Sequence, residues 1–132
     1  MTYLLDTHTW IWWYMNPDKL SQKVIDLIRD TDNYERILIS AISVWEFCKL
    51  VEKKRLIIHG SAKDWLAQAF DLPKLSLAPL TPVIAYESTV LPPPIHNDPA
   101  DLIIIATAKV EDAVIITKDE LLQKYQHVTC FW

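Results

Sequence analysis

The chain has 132 residues, 51% of them hydrophobic and 23% charged, a length that suits one domain burying roughly 70% of its unfolded surface without disulfides or a structural metal. Its lone glycine, Gly60, excludes the G-x-G-x-x-G dinucleotide turn and the G-x-x-x-x-G-K-S/T phosphate loop, both of which need bare backbone against phosphates. With 17 acids against 13 bases the net charge is −4, so no overall positive field advertises nucleic-acid binding, and any polyanion must be handled by a local feature.

Tyr3-Leu4-Leu5 opens the chain as an apolar run that ends at Asp6. Trp10, Trp12 and Trp13 follow; they cannot all face one helix stripe, so at least one is expected to be partly exposed or covered by another chain. Ser21 caps a helix carrying Val24, Ile25, Leu27 and Ile28, and Ile37-Leu38-Ile39 is a second strand. Ser43 is expected to open a helix through Val51, and Ser61 or Asp64 one through Phe70. Leu91-Pro92-Pro93-Pro94-Ile95 is too short for a linker and is expected as an extended surface loop. Asn97 or Asp98, with Pro99 in the first turn, opens a helix from Ala100 to Val110. Ala113-Val114-Ile115-Ile116 is a third strand and Val128-Thr129-Cys130-Phe131 a weaker fourth.

These runs are aliphatic without alternation, as strands covered on both faces are. Strands alternating with helices imply an α/β fold, a parallel sheet with helices on both sides, as a single domain over residues 1–132. Cys48 and Cys130 have no C-x-x-C spacing, no basic leader region precedes Asp6, and no apolar run reaches the ~18 residues of a membrane span. A reducing cytoplasm is therefore expected, with both thiols packing as small apolar groups.

In parallel sheets ligands bind outside the carboxyl ends of the strands. Asp6 ends the first strand, Asp119 follows the Ile115-Ile116 strand end, Glu46 lies in the helix after Ile37-Leu38-Ile39, and Asp101 lies in the first turn of the helix begun at Asp98-Pro99. All are expected at one edge. Carboxylates ~4 Å apart repel by about 4 kcal/mol at an effective dielectric near 20, and a divalent cation turns that repulsion into coordination. All-oxygen donors point to Mg²⁺ or Mn²⁺ rather than Zn²⁺, and hence to activated water attacking a phosphodiester. Each acid also has a structural alternative. Asp98 and Asp101 suit a helix N-terminus, Glu46 a solvated helix face, and Asp119 the cap of Glu120-Leu121-Leu122. Asp6 has the weakest such alternative.

The segments Tyr3-Leu4-Leu5-Asp6-Thr7-His8, Ser40 to Glu46, Asp98-Pro99-Ala100-Asp101 with Ile105 to Ala108, and Ile116-Thr117-Lys118-Asp119 closely resemble the PIN-domain family. The nearest likeness is to the VapC ribonuclease toxins of type II toxin–antitoxin systems. The resemblance implies a three-layer α/β/α sandwich with a central, mostly parallel sheet, Mg²⁺ or Mn²⁺ dependence, and endonucleolytic cleavage of RNA. It also implies a homodimer neutralised by a VapB-type antitoxin. Carried over, the family's acids fall on Asp6, Glu46, Asp101 and Asp119 as catalytic and metal-binding residues. Asp6 and Asp101 are then the principal ligands, with Thr7 and Thr117 adding hydrogen bonds behind them. Asp98 matches an acid common in the subfamily, with capping as an equal alternative. Leu102 stands where the family often has Arg, which tempers the RNA assignment more than the metal one.

His8 and His96 flank the acidic motifs but are not needed by metal-assisted hydrolysis; loop histidines are the simpler reading. For Trp10, Trp12 and Trp13 a dimer or antitoxin interface is favoured over base stacking. Lys49, Lys53, Lys54 and Arg55 form the one local basic run, a helix end or a phosphate contact. A phosphotransferase would want a second aspartate two residues after Asp6, where His8 stands. A nuclease acting on other nucleic acid, or a catalytically silent binding module on the same fold, are the remaining alternatives.

Overall fold

The aliphatic runs become strands of one sheet in the computed structural model, which describes residues 1–132. Strands β1 (Thr2–Leu5), β2 (Arg36–Ser40), β3 (Leu75–Ala78), β4 (Ala113–Ile116) and β5 (Cys130–Phe131) stand in the order β3-β2-β1-β4-β5, and every pairing is parallel. The connecting helices are α1 (Thr7–Met15), α2 (Gln22–Arg29), α3 (Ala41–Glu52), α4 (Ala62–Gln68), α5 (Pro82–Thr89), α6 (Pro99–Glu111) and α7 (Glu120–Lys124).

Alternate strand residues point to opposite faces, and each face has its own core. Tyr3, Leu5, Ile37, Ile39 and Ile116 pack with Trp10 of α1, Val24 and Ile28 of α2 and Phe47 of α3. Leu4, Leu38, Ala113 and Ile115 pack with Ile104, Ile105 and Ala108 of α6 and Leu122 of α7. The result is the expected three-layer α/β/α sandwich. Leu4 and Ile105 are wholly buried, so truncating either to Ala costs about 2–5 kcal/mol.

The helix starts show why the chain turns where it does. Ser21, Ser61 and Asp98 each accept a backbone N–H of the first turn behind them, from Val24, Asp64 and Asp101. This settles the choice between Ser61 and Asp64, and between Asn97 and Asp98. Ser43 does not open its helix. α3 begins at Ala41, capped by Ser40 on Ile42 N–H, because β2 passes into the helix with no loop between them. Ser43 is instead buried in the first turn.

β3 and α5 were not among the expected elements. β3 is a half-exposed edge strand, and α5 turns Val83 and Tyr86 to solvent rather than carrying an apolar stripe. No helix is long and apolar enough to cross a membrane.

Chain order sets the position of the site. From β1 at the centre the chain moves outward through β2 to β3, then returns to β4 on the other side of β1. The crossovers therefore diverge between β1 and β4, which opens a crevice at their carboxyl ends. Register places Leu5 beside both Ile39 and Ile116, so Asp6, Ser40 and Thr117 leave the sheet side by side.

Candidate active site

A pocket of about 460 Å³ opens at that crevice, and its wall includes Asp6, Glu46, Asp98, Asp101 and Asp119. Thr7, His8, Trp12, Ile104 and Lys118 complete it. The acids named from the sequence thus share one cavity. Thr7 lines it as well, whereas Thr117 lies fully buried beneath.

Asp6 is the most deeply set of these acids, 7% exposed. Its Oδ1 accepts Thr9 N–H at 2.9 Å as the N-cap of α1, and its Oδ2 accepts the Thr117 hydroxyl proton. The sequence left Asp6 with the weakest structural role, yet it caps a helix. That cap was hidden because α1 carries aromatics on all sides and shows no stripe to mark its start. Thr117 Oγ1 also accepts Asp119 N–H at 3.0 Å, so one hydroxyl ties the first acid to the backbone of the last. Asp119 is the N-cap of α7, with Oδ1 accepting Leu121 and Leu122 N–H at 2.8 and 3.2 Å.

Glu46 reaches the pocket from the second turn of α3. Its Oε1 accepts the Thr7 hydroxyl proton, and Thr7 Oγ1 lies 2.8 Å from Ser43 Oγ. A threonine has one proton to give and the carboxylate none, so the Ser43 O–H supplies the second bond. Asp101, in the first turn of α6, sets its Oδ2 2.7 Å from His96 Nε2. Asp98 holds Asp101 N–H through its own Oδ1 at 3.1 Å, so the capping role is real while its side chain still faces the pocket.

Burial pushes the Glu46 carboxyl above the usual range, opposed by the Thr7 hydrogen bond and reinforced by the charges of Asp98 and Asp101. Burial also raises Asp101, opposed by His96 and reinforced by Asp98 and Asp119. Both reflect the cost of setting like charges in a partly dry cleft. Beneath them the Cys130 thiol is pushed up to about 11 by burial and then by Asp6 and Asp119. It stays protonated and donates to Leu122 C=O at 3.4 Å, which makes it a packing residue.

The donor set suits a hard divalent cation. Every acid is an oxygen donor, and Glu46 Oε2, Asp101 Oδ1 and Asp119 Oδ2 take no protein hydrogen bond. No three Asp, Glu, His or Cys groups close into a ready-made cage. Mg²⁺ does not require one: it is held by one or two carboxylates and keeps waters or phosphate oxygens at its other positions.

Sequence reasoning missed the contacts of His96, Ser43 and Lys118 at the pocket. Of these, Ser43 and Lys118 carry a signal, since each lies within three residues of a site acid on the same local element.

The PIN-domain family model matches residues 3–128. Ribonuclease VapC22 of Mycobacterium tuberculosis is 32% identical over 126 residues, covering 96% of this chain and 93% of that protein. Among solved structures, VapBC2 from Rickettsia felis bound to a promoter DNA fragment aligns with a TM-score of 0.67 and 20% identity, over 99% of this chain and 98% of that one. FitAcB from Neisseria gonorrhoeae aligns with a TM-score of 0.65 and 24% identity, over 100% and 97%. These two are likenesses of fold.

Proposed function

The chain belongs to the PIN-domain family, and from that premise we propose that it is a metal-dependent endoribonuclease, the toxin of a type II toxin–antitoxin pair. One observation carries the chemistry: Asp6, Glu46, Asp101 and Asp119, from separate segments, meet in one pocket at the sheet's switch point. Resemblance to a VapC ribonuclease, and to the toxins of VapBC complexes, supports the biological role and a VapB-type antitoxin as partner.

Asp6, Glu46, Asp101 and Asp119 would hold Mg²⁺ or Mn²⁺. Bound there, the cation supplies an activated water and charge stabilisation for the phosphodiester. The remaining work belongs to the protein. Thr117 and Thr9 N–H hold Asp6, and Thr7 holds Glu46, so these carboxylates are oriented before any ligand arrives. Asp119 is pinned through Oδ1, which leaves Oδ2 for the pocket. Lys118 is the one lysine or arginine on the pocket wall, placed to meet a phosphate oxygen. Substrate charge is therefore met by a cation and one lysine, and the net −4 of the chain is no obstacle.

The test is incubation of the purified protein with single-stranded RNA and, separately, single-stranded DNA, in Mg²⁺ or in chelator. Cleavage of RNA in Mg²⁺, lost in chelator and in Asp6→Asn, is the expected result. Cutting of DNA alone would favour the other-nuclease reading. No cutting of either by protein freed from antitoxin would favour a silent binding module. Light scattering of the same preparation reads the homodimer that the family resemblance implies.

A further inference from the structure

A second, shallower pocket of about 150 Å³ adjoins the acidic one and shares His8 and Glu46 with it. Its other walls include Trp45, Lys49, Lys53 and Arg55. Here α3 does two things at once. Glu46 turns toward the acids, and its neighbour Trp45, one step around the helix, stands 58% exposed. A tryptophan contributes little to folding when left in water, and burial of the α3 core is carried by Phe47 instead.

Around Trp45 the sequence collects cations. Lys49, one turn on, sets its Nζ 5.8 Å from the Trp45 ring centroid. The helix ends in a Schellman turn, with Arg55 N–H on Leu50 C=O at 2.9 Å and Lys54 N–H on Val51 C=O at 3.0 Å. Lys54 takes the left-handed position, φ 58°, that glycine usually fills. This turn folds Arg55 back onto the same pocket as Lys53. Neither Lys53 nor Arg55 has an ion-pair partner, whereas Lys49 pairs with Glu52 at 2.6 Å. Positive charge at a helix C-terminus offsets the macrodipole, but that explains neither the exposed ring nor the return of Arg55. An exposed aromatic ring with Lys49 beside it and the unpaired Lys53 and Arg55 on the same pocket wall, adjoining the acidic pocket, matches a nucleotide chain: base on the ring, phosphates on the unpaired cations.

We propose that this pocket is a nucleotide subsite for a single-stranded RNA segment running out of the acidic cleft, with an unpaired base stacked on Trp45 and its flanking phosphates held by Lys53 and Arg55. The subsite rests on the ribonuclease reading above, and it acts in substrate binding rather than in the chemistry. Its sequence tolerance follows from the recognition mode, since every base has a π face.

The test uses a fluorescein-labelled, unstructured RNA of about 12 nucleotides, enough to cross both pockets, with binding read by anisotropy in chelator. Trp45→Ala is expected to raise Kd about tenfold, and Trp45→Tyr to restore most of the loss. Lys53→Ala/Arg55→Ala is expected to flatten the dependence of log affinity on log salt by about 1.4, or 0.7 for each lost phosphate contact. In Mg²⁺, Trp45→Ala should raise KM with kcat nearly unchanged. Asp6→Asn should abolish cutting, and the loss of affinity on Trp45→Ala should persist in that background. Unchanged RNA affinity of Trp45→Ala, with wild type still cutting, overturns the subsite and leaves the ribonuclease reading standing. Loss of antitoxin binding in Trp45→Ala with RNA affinity intact assigns the surface to a protein instead. A wild type that neither binds nor cuts RNA overturns the ribonuclease reading, and the subsite with it.

Discussion

The two sides of the acidic cleft hold their carboxylates by different means. On the β1–β4 side, Asp6 and Asp119 are helix N-caps whose oxygens accept backbone N–H groups, and the buried Thr117 hydroxyl joins them. On the α3–α6 side, Glu46 and Asp101 are held only by side chains, Thr7 and His96, and burial raises both carboxyls. A helix N-terminus welcomes negative charge through its free N–H groups and macrodipole. One side is therefore an anion site that folding itself requires. The other holds charge that burial opposes, and the cation proposed above would stabilise it.

The largest break in this comparison comes from removing charge on each side. Asp6→Asn keeps a cap oxygen for Thr9 N–H but loses an anionic ligand, so RNA cleavage should fall about 10³-fold or more with little change in melting temperature. Asp6→Ala also removes the cap and should cost a further 1 kcal/mol or so of stability. A variant that kept full cleavage would remove Asp6 from the site. Equal melting temperatures for Asn and Ala would show that the cap contributes nothing.

Glu46→Gln should reduce cleavage about 10²-fold while stabilising the metal-free protein, the opposite of a cap variant. The sign follows from its raised carboxyl. A group whose folded pKa lies above its unfolded value contributes stability that is full below the unfolded value and is lost as pH rises through the folded one. The metal-free wild type should therefore melt below Glu46→Gln at pH 7, and the gap should close as pH falls to the ordinary carboxylate range. Mg²⁺ should raise the wild type more than the variant. Thermal melts at pH 4, 5.5 and 7, with and without Mg²⁺, check this; a gap that widens toward acid would contradict the assignment.

The same asymmetry governs what was legible in the sequence. Aliphatic runs marked β1, β2 and β4, Ser21 marked one helix start, and the pairs Ser61 or Asp64 and Asn97 or Asp98 marked two more to within a few residues, because these features are local. Asp6, Asp101 and Asp119 were legible because each follows a strand end or opens a helix, and Glu46 because its helix follows a strand directly. Leu75 to Ala78 and Pro82 to Thr89 were not, since a short half-exposed edge strand and a helix with Val83 and Tyr86 outward carry no period. Ser43 was misread because the cap fell on Ser40, where strand passes to helix without a loop. The hold of His96 on Asp101 was not read, because the segment ahead of α6 has no helical or strand period to show where a side chain five residues upstream points.

Smaller effects sharpen the comparison through the residues behind the acids. Thr117→Val leaves Asp6 Oδ2 and Asp119 N–H without their partner in a fully buried position. It should cost about 1–3 kcal/mol of stability and about 10–100-fold in activity or in the Mg²⁺ needed for half-maximal rate. Thr7→Val removes the donor to Glu46, which the pocket's water can replace, but also strands the fully buried Ser43 hydroxyl, so the loss of activity should be nearer tenfold with a loss of stability of about 1–3 kcal/mol.

His96→Ala is the mildest of the series. The imidazole occupies Asp101 Oδ2 while Oδ1 faces the pocket without a protein partner, and the pair is about a fifth exposed. Its removal gives Asp101 freedom to turn, which should lower activity only about 3- to 10-fold at saturating Mg²⁺. The loss should be larger at limiting Mg²⁺, because an unheld carboxylate must be ordered by the cation itself. His96→Asn, which keeps one donor, should recover part of it. A Mg²⁺ titration of wild type and both variants decides the point. An equal loss at all Mg²⁺ concentrations would mean that His96 supports the loop rather than the ligand, and that the α3–α6 side is held by Thr7 alone.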